Sequence, residues 1–291
     1  MGVYGNMNVF PKIFQLDLGI YVEKLVNWLT LHFQDLFDAL TIGIKWIVSN
    51  IQNILGIFPW FIWILLIFLL GWKIKNLKSG LSYGFMVFII GLLGLWNEMI
   101  LTLSIVLTAV ILSILIGIPI GIYTAYHPKL EAVINPILDG MQTMPSFVYL
   151  IPAMIFFGLG TVPAVFATII YSTPPCIRLT CLAIKRVPTE MKEAAYSFGS
   201  SPWQVLTKVE LPQALPTIMA GVNQTMMMAM SMVVISSMIG AKGLGENVLI
   251  AINRSDIAMG FNSGISIVFL AIILDRITQI ISKEKNNVSS S

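Results

Sequence analysis

The longest apolar run of the chain, ILTLSIVLTAVILSILIGIPIGIY at residues 100–123, contains no charged side chain. A helix of roughly 20 apolar residues crosses the hydrocarbon core of a bilayer, and this run exceeds that length. Because lipid offers the backbone no water, such a run has to satisfy its own N–H and C=O groups as a helix. The chain is 57% hydrophobic and 11% charged, whereas soluble domains carry about 25% charged residues. A helical membrane protein is therefore predicted.

Seven segments have the hydropathy of membrane spans, although the second and the fourth are short. They are residues 56–72, 81–97, 99–126, 144–159, 161–182, 216–240 and 258–281. Several contain proline or glycine, which transmembrane helices tolerate where neighbouring groups satisfy the backbone. The predicted fold class is an all-α membrane protein, a polytopic helical bundle of about seven transmembrane helices.

Lysine and arginine lie mainly in alternate loops, and this asymmetry predicts which loops are cytoplasmic. The basic set comprises Lys73, Lys75, Lys78, Lys129, Lys185, Arg186, Lys192, Lys208, Lys283 and Lys285. The opposite short loops contain only Lys242 and Arg254. Residues 183–215 and a short tail at 282–291 are therefore predicted to be cytoplasmic, with the N-terminus outside.

Residues 1–55 are expected to form an amphipathic helical scaffold on the extracellular side. Polar side chains recur there every three or four residues, the period of one helix face, over about eight turns. They are Glu23, Asn27, Thr30, Gln34, Asp38, Thr41, Lys45, Ser49 and Gln52. Such a helix lies in the outer interface or packs along the bundle instead of crossing lipid; contact with substrate is the alternative. Residues 56–97 are interpreted as peripheral transmembrane helices.

Several function classes are disfavoured. A net charge of +3 from scattered residues does not favour nucleic-acid binding. The chain contains no G-x-x-x-x-G-K-[ST] phosphate-binding loop and no evident pair of catalytic groups. Cys176 and Cys181 do not share a helix face, and His32 and His127 are isolated, so no metal site is predicted. The chain is not expected to be an enzyme or to bind a cofactor itself.

Residues 183–215 carry too many charges for lipid, yet they have the start and stop signals of two short helices. Thr189 is a predicted N-cap, and Gly199 is a predicted stop. Ser201 is a second predicted cap, with Pro202 at the first helical position and Pro212 ending that helix. We expect a compact helical knob; a solvated hairpin without a partner is the alternative.

The spacing within this segment resembles the EAA loop of ABC importer permeases. Glu193-Ala194-Ala195 is followed by Gly199 after three residues, and then by Val209, one residue and Leu211-Pro212. The family pattern ends in Ile-x-Leu-Pro, so Val209 is a mild departure. The resemblance implies a coupling helix that docks into a cytoplasmic ATPase. The residues to which it assigns this coupling are Glu193, Ala194, Ala195, Gly199, Val209, Leu211 and Pro212.

Three longer stretches resemble the permease subunit of glycine betaine/proline betaine importers. They are LDGMQTMPSFVYLIPAMIFFGLG (Leu138–Gly160), STPPCIRLTCLAIKRVP (Ser172–Pro188) and MVVISSMIGAKGLGENV (Met232–Val248). This resemblance implies a type I ABC importer permease core at residues 98–281, in a bacterial plasma membrane and working by alternating access. The partners it implies are a second permease copy in a homodimer, two cytoplasmic ATPase subunits that hold ATP and Mg, and an extracellular substrate-binding protein or lipoprotein.

Two groups of residues are candidates for lining a translocation path for a quaternary ammonium substrate. Such a cation donates no hydrogen bond and is held by aromatic faces through cation–π attraction, which suggests Phe147 and Tyr149. A second group combines polar and flexible side chains along one helix face: Asn223, Met227, Met230, Ser231, Val234 and Ser237. Helix packing is the alternative for both groups.

Two alternatives to a glycine betaine importer remain open. A permease of the same class transporting choline, carnitine, proline betaine or an amino acid is not separated from it by these residues. An ion-coupled secondary transporter would require ionisable residues within the spans, and the middles of the predicted spans contain almost none.

Overall fold

The computed structural model describes residues 18–288, and every regular element among them is helical. The helices are α1 (Leu18–His32), α2 (Gln34–Ile57), α3 (Trp60–Ile74), α4 (Leu77–Leu92), α5 (Trp96–Tyr126), α6 (Pro128–Thr143), α7 (Leu150–Phe157), α8 (Thr161–Lys185), α9 (Thr189–Ser197), α10 (Pro202–Val205), α11 (Leu211–Ser237), α12 (Leu244–Arg254) and α13 (Ile257–Val288). A 3-10 turn at Ser146–Tyr149 precedes α7, and a π-helical segment at Leu206–Glu210 joins α10 to α11. The predicted all-α class is confirmed.

Four helices in the described part of the chain are long and apolar enough to cross a membrane by themselves. They are α5, α8, the continuous helix Pro202–Ser237, and the Ile257–Gln279 part of α13. Two further pairs pass the same test together but are bent, α2 with α3 by 91° and α6 with Ser146–Phe157 by 107°. The count is thus four to six by length and composition, below the predicted seven, because α4 has only 16 residues.

Each bend occurs at the residue immediately before a proline. Phe58, with ψ of 137°, precedes Pro59, and Met144, with ψ of 133°, precedes Pro145. The proline ring disfavours helical geometry at the residue before it, so each helix ends there. The structure therefore differs from the predicted spans 56–72 and 144–159, each of which contributes one arm of a bent pair.

Three predicted spans agree closely with single helices. The predicted segment 99–126 corresponds to α5, 161–182 to α8 and 258–281 to α13. Helix α13 continues to Val288, so most of the predicted tail at 282–291 is helical and the last three residues lie outside the described part of the chain.

The N-terminal amphipathic segment forms two helices, which meet at Phe33. Ile44 and Val48 of α2 belong to a buried cluster shared with α5, α7 and α8. The predicted polar stripe is offset from them by one position, and its Lys45 and Ser49 are exposed. Helix α2 thus packs along the bundle, which is one of the two predicted positions. It also forms a bent pair with α3, so this pair extends across the boundary predicted at residue 55. Residues 1–17 of the expected scaffold lie outside the described residues.

Helices α5, α8 and α11 form the centre of the bundle. The Ser113 and Ser172 hydroxyl oxygens hydrogen-bond across α5 and α8 at 3.2 Å. Buried Thr108 and Thr168 each donate to the carbonyl four residues earlier, at 2.7 Å. Hydroxyl groups satisfied in this way can be buried without water. Helices α5 and α8 therefore pack closely around these polar residues.

Pro212 does not end the helix that begins at Pro202, contrary to the prediction. The backbone passes through the π-helical segment, where the Leu211 N–H donates to the Leu206 carbonyl five residues earlier. A wider turn accommodates a proline ring, which lacks an N–H and crowds the preceding turn of an α-helix. Residues 202–237 form one helix of 36 residues, which runs directly from the knob into the bundle.

Candidate coupling site and translocation face

The helical knob predicted within residues 183–215 comprises residues 187–210 in the structure, between α8 and α11. Pro188 occupies the N-cap position of α9, so Thr189 is the first helical residue and not the predicted cap. Helix α9 stops as predicted at Gly199, where φ is +80°. The Ser200 N–H donates to the Ala195 carbonyl at 3.1 Å, the pattern of a glycine-terminated helix.

Helix α10 starts at the predicted cap, Ser201. The Gln204 N–H donates to the Ser201 hydroxyl at 3.3 Å, and the Ser201 N–H donates to the Gln204 side-chain oxygen at 2.8 Å. This reciprocal capping box satisfies two backbone donors at the helix start. It fixes the direction in which the chain leaves the turn after α9.

We expect Ser201→Ala to destabilise the start of α10 by about 1 kcal/mol, because it removes the acceptor for the Gln204 N–H. Hydrogen exchange of the Gln204 and Val205 amides, which donate to the Ser201 hydroxyl and carbonyl, should be roughly fivefold faster, following that loss. Ser200→Ala is the matched control, since the Ser200 side chain forms no cap. Equal exchange in both variants would contradict the assigned role of Ser201.

The outer surface of the knob is unusually apolar. Phe198 is 90% exposed and Trp203 is 71% exposed, and Tyr196 lies nearby with half of its surface accessible. Val205, by contrast, is buried. Large exposed aromatic side chains on a small protrusion are typical of a protein-binding surface.

The predicted coupling residues occupy two different positions in the structure. Glu193, Ala194 and Gly199 are exposed on the surface of the knob, and Ala195 is half-buried. Val209, Leu211 and Pro212 lie in or after the π-helical segment. Leu211 packs against the apolar cluster beneath the knob, whereas Pro212 is exposed. The first group is available to a partner protein, and the second belongs to the connection between the knob and the bundle.

An ionic cluster around the buried carboxylate of Glu210 lies beneath α9 and is not apparent from the sequence. The Lys192 Nζ is 2.7 Å from Glu210 Oε1, and the Tyr126 hydroxyl donates to Glu210 Oε2. The residues lie far apart in the chain, and the pairing depends on the turn at Gly199. The only sequence signal is a glutamate within the otherwise apolar stretch VELP.

The predicted translocation residues of α11 do not form one surface. Met227 and Ser231 are exposed and share a helix face with half-buried Val234. Met230 and Ser237 are buried, so they pack within the chain. The accessible part of this prediction is therefore the face of Met227, Ser231 and Val234, which we call the α11 face.

Asn223 connects α11 to α13. Its amide nitrogen donates to Asp275 Oδ1 at 2.8 Å, and the Thr278 hydroxyl donates to its oxygen at 2.6 Å. Asn223 is thus used in helix packing, the alternative given for its group. Of the two predicted aromatic residues, Phe147 is exposed, whereas Tyr149 is buried and donates to the Met141 carbonyl at 2.5 Å.

Two ion pairs join α6 to α8. The Arg178 guanidinium is 2.5 Å from Asp139 Oδ1, and the Lys185 ammonium contacts Glu131. Both pairs are partly exposed. Because a charged pair is costly in lipid, an exposed pair within a span faces water or protein.

Comparison with protein families gives a match to the family described as "Binding-protein-dependent transport system inner membrane component", over residues 117–286. This range includes the knob and the α11 face. The fold is also similar to inward-facing structures of the MetNI methionine ABC transporter, with a TM-score of 0.59 and 20% identity over 64% of this chain and 93% of that one. At this identity the likeness concerns the fold alone.

Three curated relatives are similar over nearly the whole chain. The glycine betaine/carnitine transport permease protein GbuB of Listeria monocytogenes is 47% identical, covering 94% of this chain and 98% of that protein. The glycine betaine/proline betaine permease ProW of Escherichia coli is 44% identical, covering 94% and 77%. The glycine betaine permease OpuAB of Bacillus subtilis is 43% identical, covering 97% and 99%. The helical bundle, the family match and these relatives agree: the chain belongs to the family of inner membrane components of binding-protein-dependent transport systems, the multi-pass permeases of ABC importers.

Proposed function

We propose that this chain is the permease subunit that imports glycine betaine or a related quaternary ammonium osmoprotectant. The observation that carries the proposal is the near-full-length similarity to three permeases whose names share glycine betaine. The chain would act as a homodimer with two ATPase subunits, which hold ATP and Mg, and would receive substrate from an external binding protein or lipoprotein. It would lie in a bacterial plasma membrane with its N-terminus outside and its C-terminus in the cytoplasm.

The knob is the proposed docking point for the ATPase. Glu193, Ala194 and Gly199 present a small, exposed surface to which a partner can approach closely, and Phe198 projects beside it as an apolar anchor. Burial of such an aromatic side chain in a partner groove supplies a large share of binding energy at many interfaces. This arrangement favours a partner over the alternative of a solvated hairpin.

The energy for transport is proposed to enter through the knob and not through an ion gradient. Helix α11 contains no charged residue, and α5 contains only Glu98 in its first turn. Ion-coupled transporters use ionisable groups within their spans; these two helices provide none in the middle, and Arg178 of the third central helix, α8, is paired with Asp139. Closure of the ATPases would instead shift the bundle between two arrangements that differ in access to the path.

The α11 face and Phe147 are the proposed contacts along the path. Met227 and Ser231 combine polarizable and hydroxyl groups on an accessible surface, which suits weak and transient contact. Phe147 follows the bend at Pro145, and its exposed ring offers a face to a quaternary ammonium. Substrate selection is assigned mainly to the external binding protein.

Uptake into vesicles tests this function. The permease is co-expressed with the ATPase subunit and binding protein of a glycine betaine importer, and entry of radiolabelled glycine betaine is measured with ATP inside or outside. We expect uptake only where the ATPase can reach ATP, competition by proline betaine or carnitine, and no effect of a protonophore. Uptake without the ATPase, or collapse on dissipating the proton gradient, would instead support a secondary transporter. If only an amino acid competed, the substrate would be an amino acid and the chain would still be the permease of an ABC importer.

A further inference from the structure

Of the residues in 18–288 whose side chains the structure describes, Glu210 is the one charged residue that is buried. It has 1% of its surface exposed. It lies in the π-helical segment, at the base of the long helix that enters the bundle. Isolating a carboxylate from water is costly unless its oxygens are paired. Its partners are therefore essential to the local structure.

Both oxygens of Glu210 have a partner from another element. Lys192 of α9 pairs with Oε1 at 2.7 Å, and Tyr126 at the end of α5 donates to Oε2. The Lys192 ammonium also lies 3.4 Å from the Ile184 carbonyl near the end of α8. The ionic cluster of Tyr126, Lys192 and Glu210 thus joins α5, α8, α9 and the base of α11.

Outside this cluster, the contacts of helix α9 are made by exposed or half-buried residues. None of its nine residues is buried, so an apolar interface does not fix its orientation. The apolar cluster beneath the knob is built from α5, α8 and α11 together with the π-helical segment, and includes Ala183, Ile184 and Ala214 but no residue of α9. Lys192 is the residue of α9 that forms an ion pair with the base of α11.

We propose that Lys192, Glu210 and Tyr126 are positioning residues that make α9 move with α5 and α11 as one body. A displacement of α9 would move Glu210 through its ion pair with Lys192. The continuous helix 202–237 would transmit this movement to the α11 face. The hydrogen bond from Tyr126 to Glu210 would transmit it to α5. This inference deepens the proposed function and rests on it, since the displacement is assigned to the ATPase. A passive role, in which the cluster only adds stability, makes different predictions.

The first test measures hydrogen exchange on the full-length permease in lipid nanodiscs. Glu210→Gln and Lys192→Met should speed exchange of the α9 amides about tenfold, the factor expected when a charged hydrogen bond is lost, with α5 and α8 unchanged. Tyr126→Phe, which keeps the ion pair, should give a smaller increase. The control Lys208→Met removes the charge of an exposed knob residue outside α9 and should leave α9 unaffected. Unchanged α9 exchange in both cluster variants would overturn the inference.

The second test measures transport per ATP hydrolysed in the assembled transporter. The cluster variants should still co-purify with the ATPase and hydrolyse ATP, but solute moved per ATP should fall about tenfold, as for the loss of one coupling interaction. The inference would be overturned if the ratio of solute moved to ATP hydrolysed stayed unchanged. It would also be overturned if the ratio fell only because all three variants, including Tyr126→Phe, unfold globally, since the cluster would then contribute stability alone. If the wild-type chain binds no ATPase, the proposed function fails, while the exchange experiment still tests the connection itself.

Discussion

Gly199→Val should weaken binding of the ATPase to the permease about 30-fold and lower ATP-driven uptake in parallel. Gly199 has a φ of +80°, where a β-branched residue is strained by about 2 kcal/mol. No neighbouring atom lies within 4 Å of the position that a Cβ would occupy, so the effect comes from the backbone alone. Because the turn sets both the end of α9 and the direction of Phe198, the strained chain would open the docking surface.

Gly199→Asn is the matched control, since asparagine adopts positive φ more readily than other residues. We expect its ATPase affinity, measured by titration onto nanodisc-embedded permease, to stay within a few-fold of wild type. If valine and asparagine behave alike, the left-handed turn is not what orders the docking surface. If both abolish binding, the partner contacts the Gly199 backbone itself, and the small size of glycine is the decisive property.

Gly121→Leu should strongly destabilise the central bundle. A Cβ at Gly121 would lie 2.6 Å from the Ile177 carbonyl oxygen and 2.7 Å from the Thr180 Cβ, closer than unstrained atoms approach. Because the obstacle includes backbone of α8, the two helices have to separate, at a cost of about 3 kcal/mol or more. We expect loss of monodisperse protein in detergent and a strongly lowered unfolding midpoint, with Gly121→Ala intermediate.

Gly43→Leu provides the comparison, because it also places leucine within a helix but has no atom within 4 Å of the added Cβ. Its yield and unfolding midpoint should equal those of wild type or rise slightly, as leucine favours helix over glycine. A folded Gly121→Leu protein with normal stability would mean that α5 and α8 are not in close contact at this point.

The features that the sequence by itself determined are those that act within one segment. The absence of water in lipid forces each long apolar run into a helix, so α5, α8 and the start of α13 are predicted within a few residues. Glycine and serine signals likewise operate over three or four residues, which explains why the stop at Gly199 and the cap at Ser201 are correct. The family resemblance rests on the same local spacing around Glu193.

Only the tertiary structure decided the features that depend on distant partners. Whether Pro212 ends a helix or is absorbed by a π-helical turn depends on packing beneath the knob, and the local signal alone predicts the wrong result. Met230 and Ser237 are buried while Met227 is exposed, because neighbouring helices select the packed face of α11. The pairing of Lys192 with Glu210 and Tyr126 joins residues far apart in the chain. Its physical basis is the need of a buried carboxylate for partners, and the residues that meet this need are brought together by folding alone.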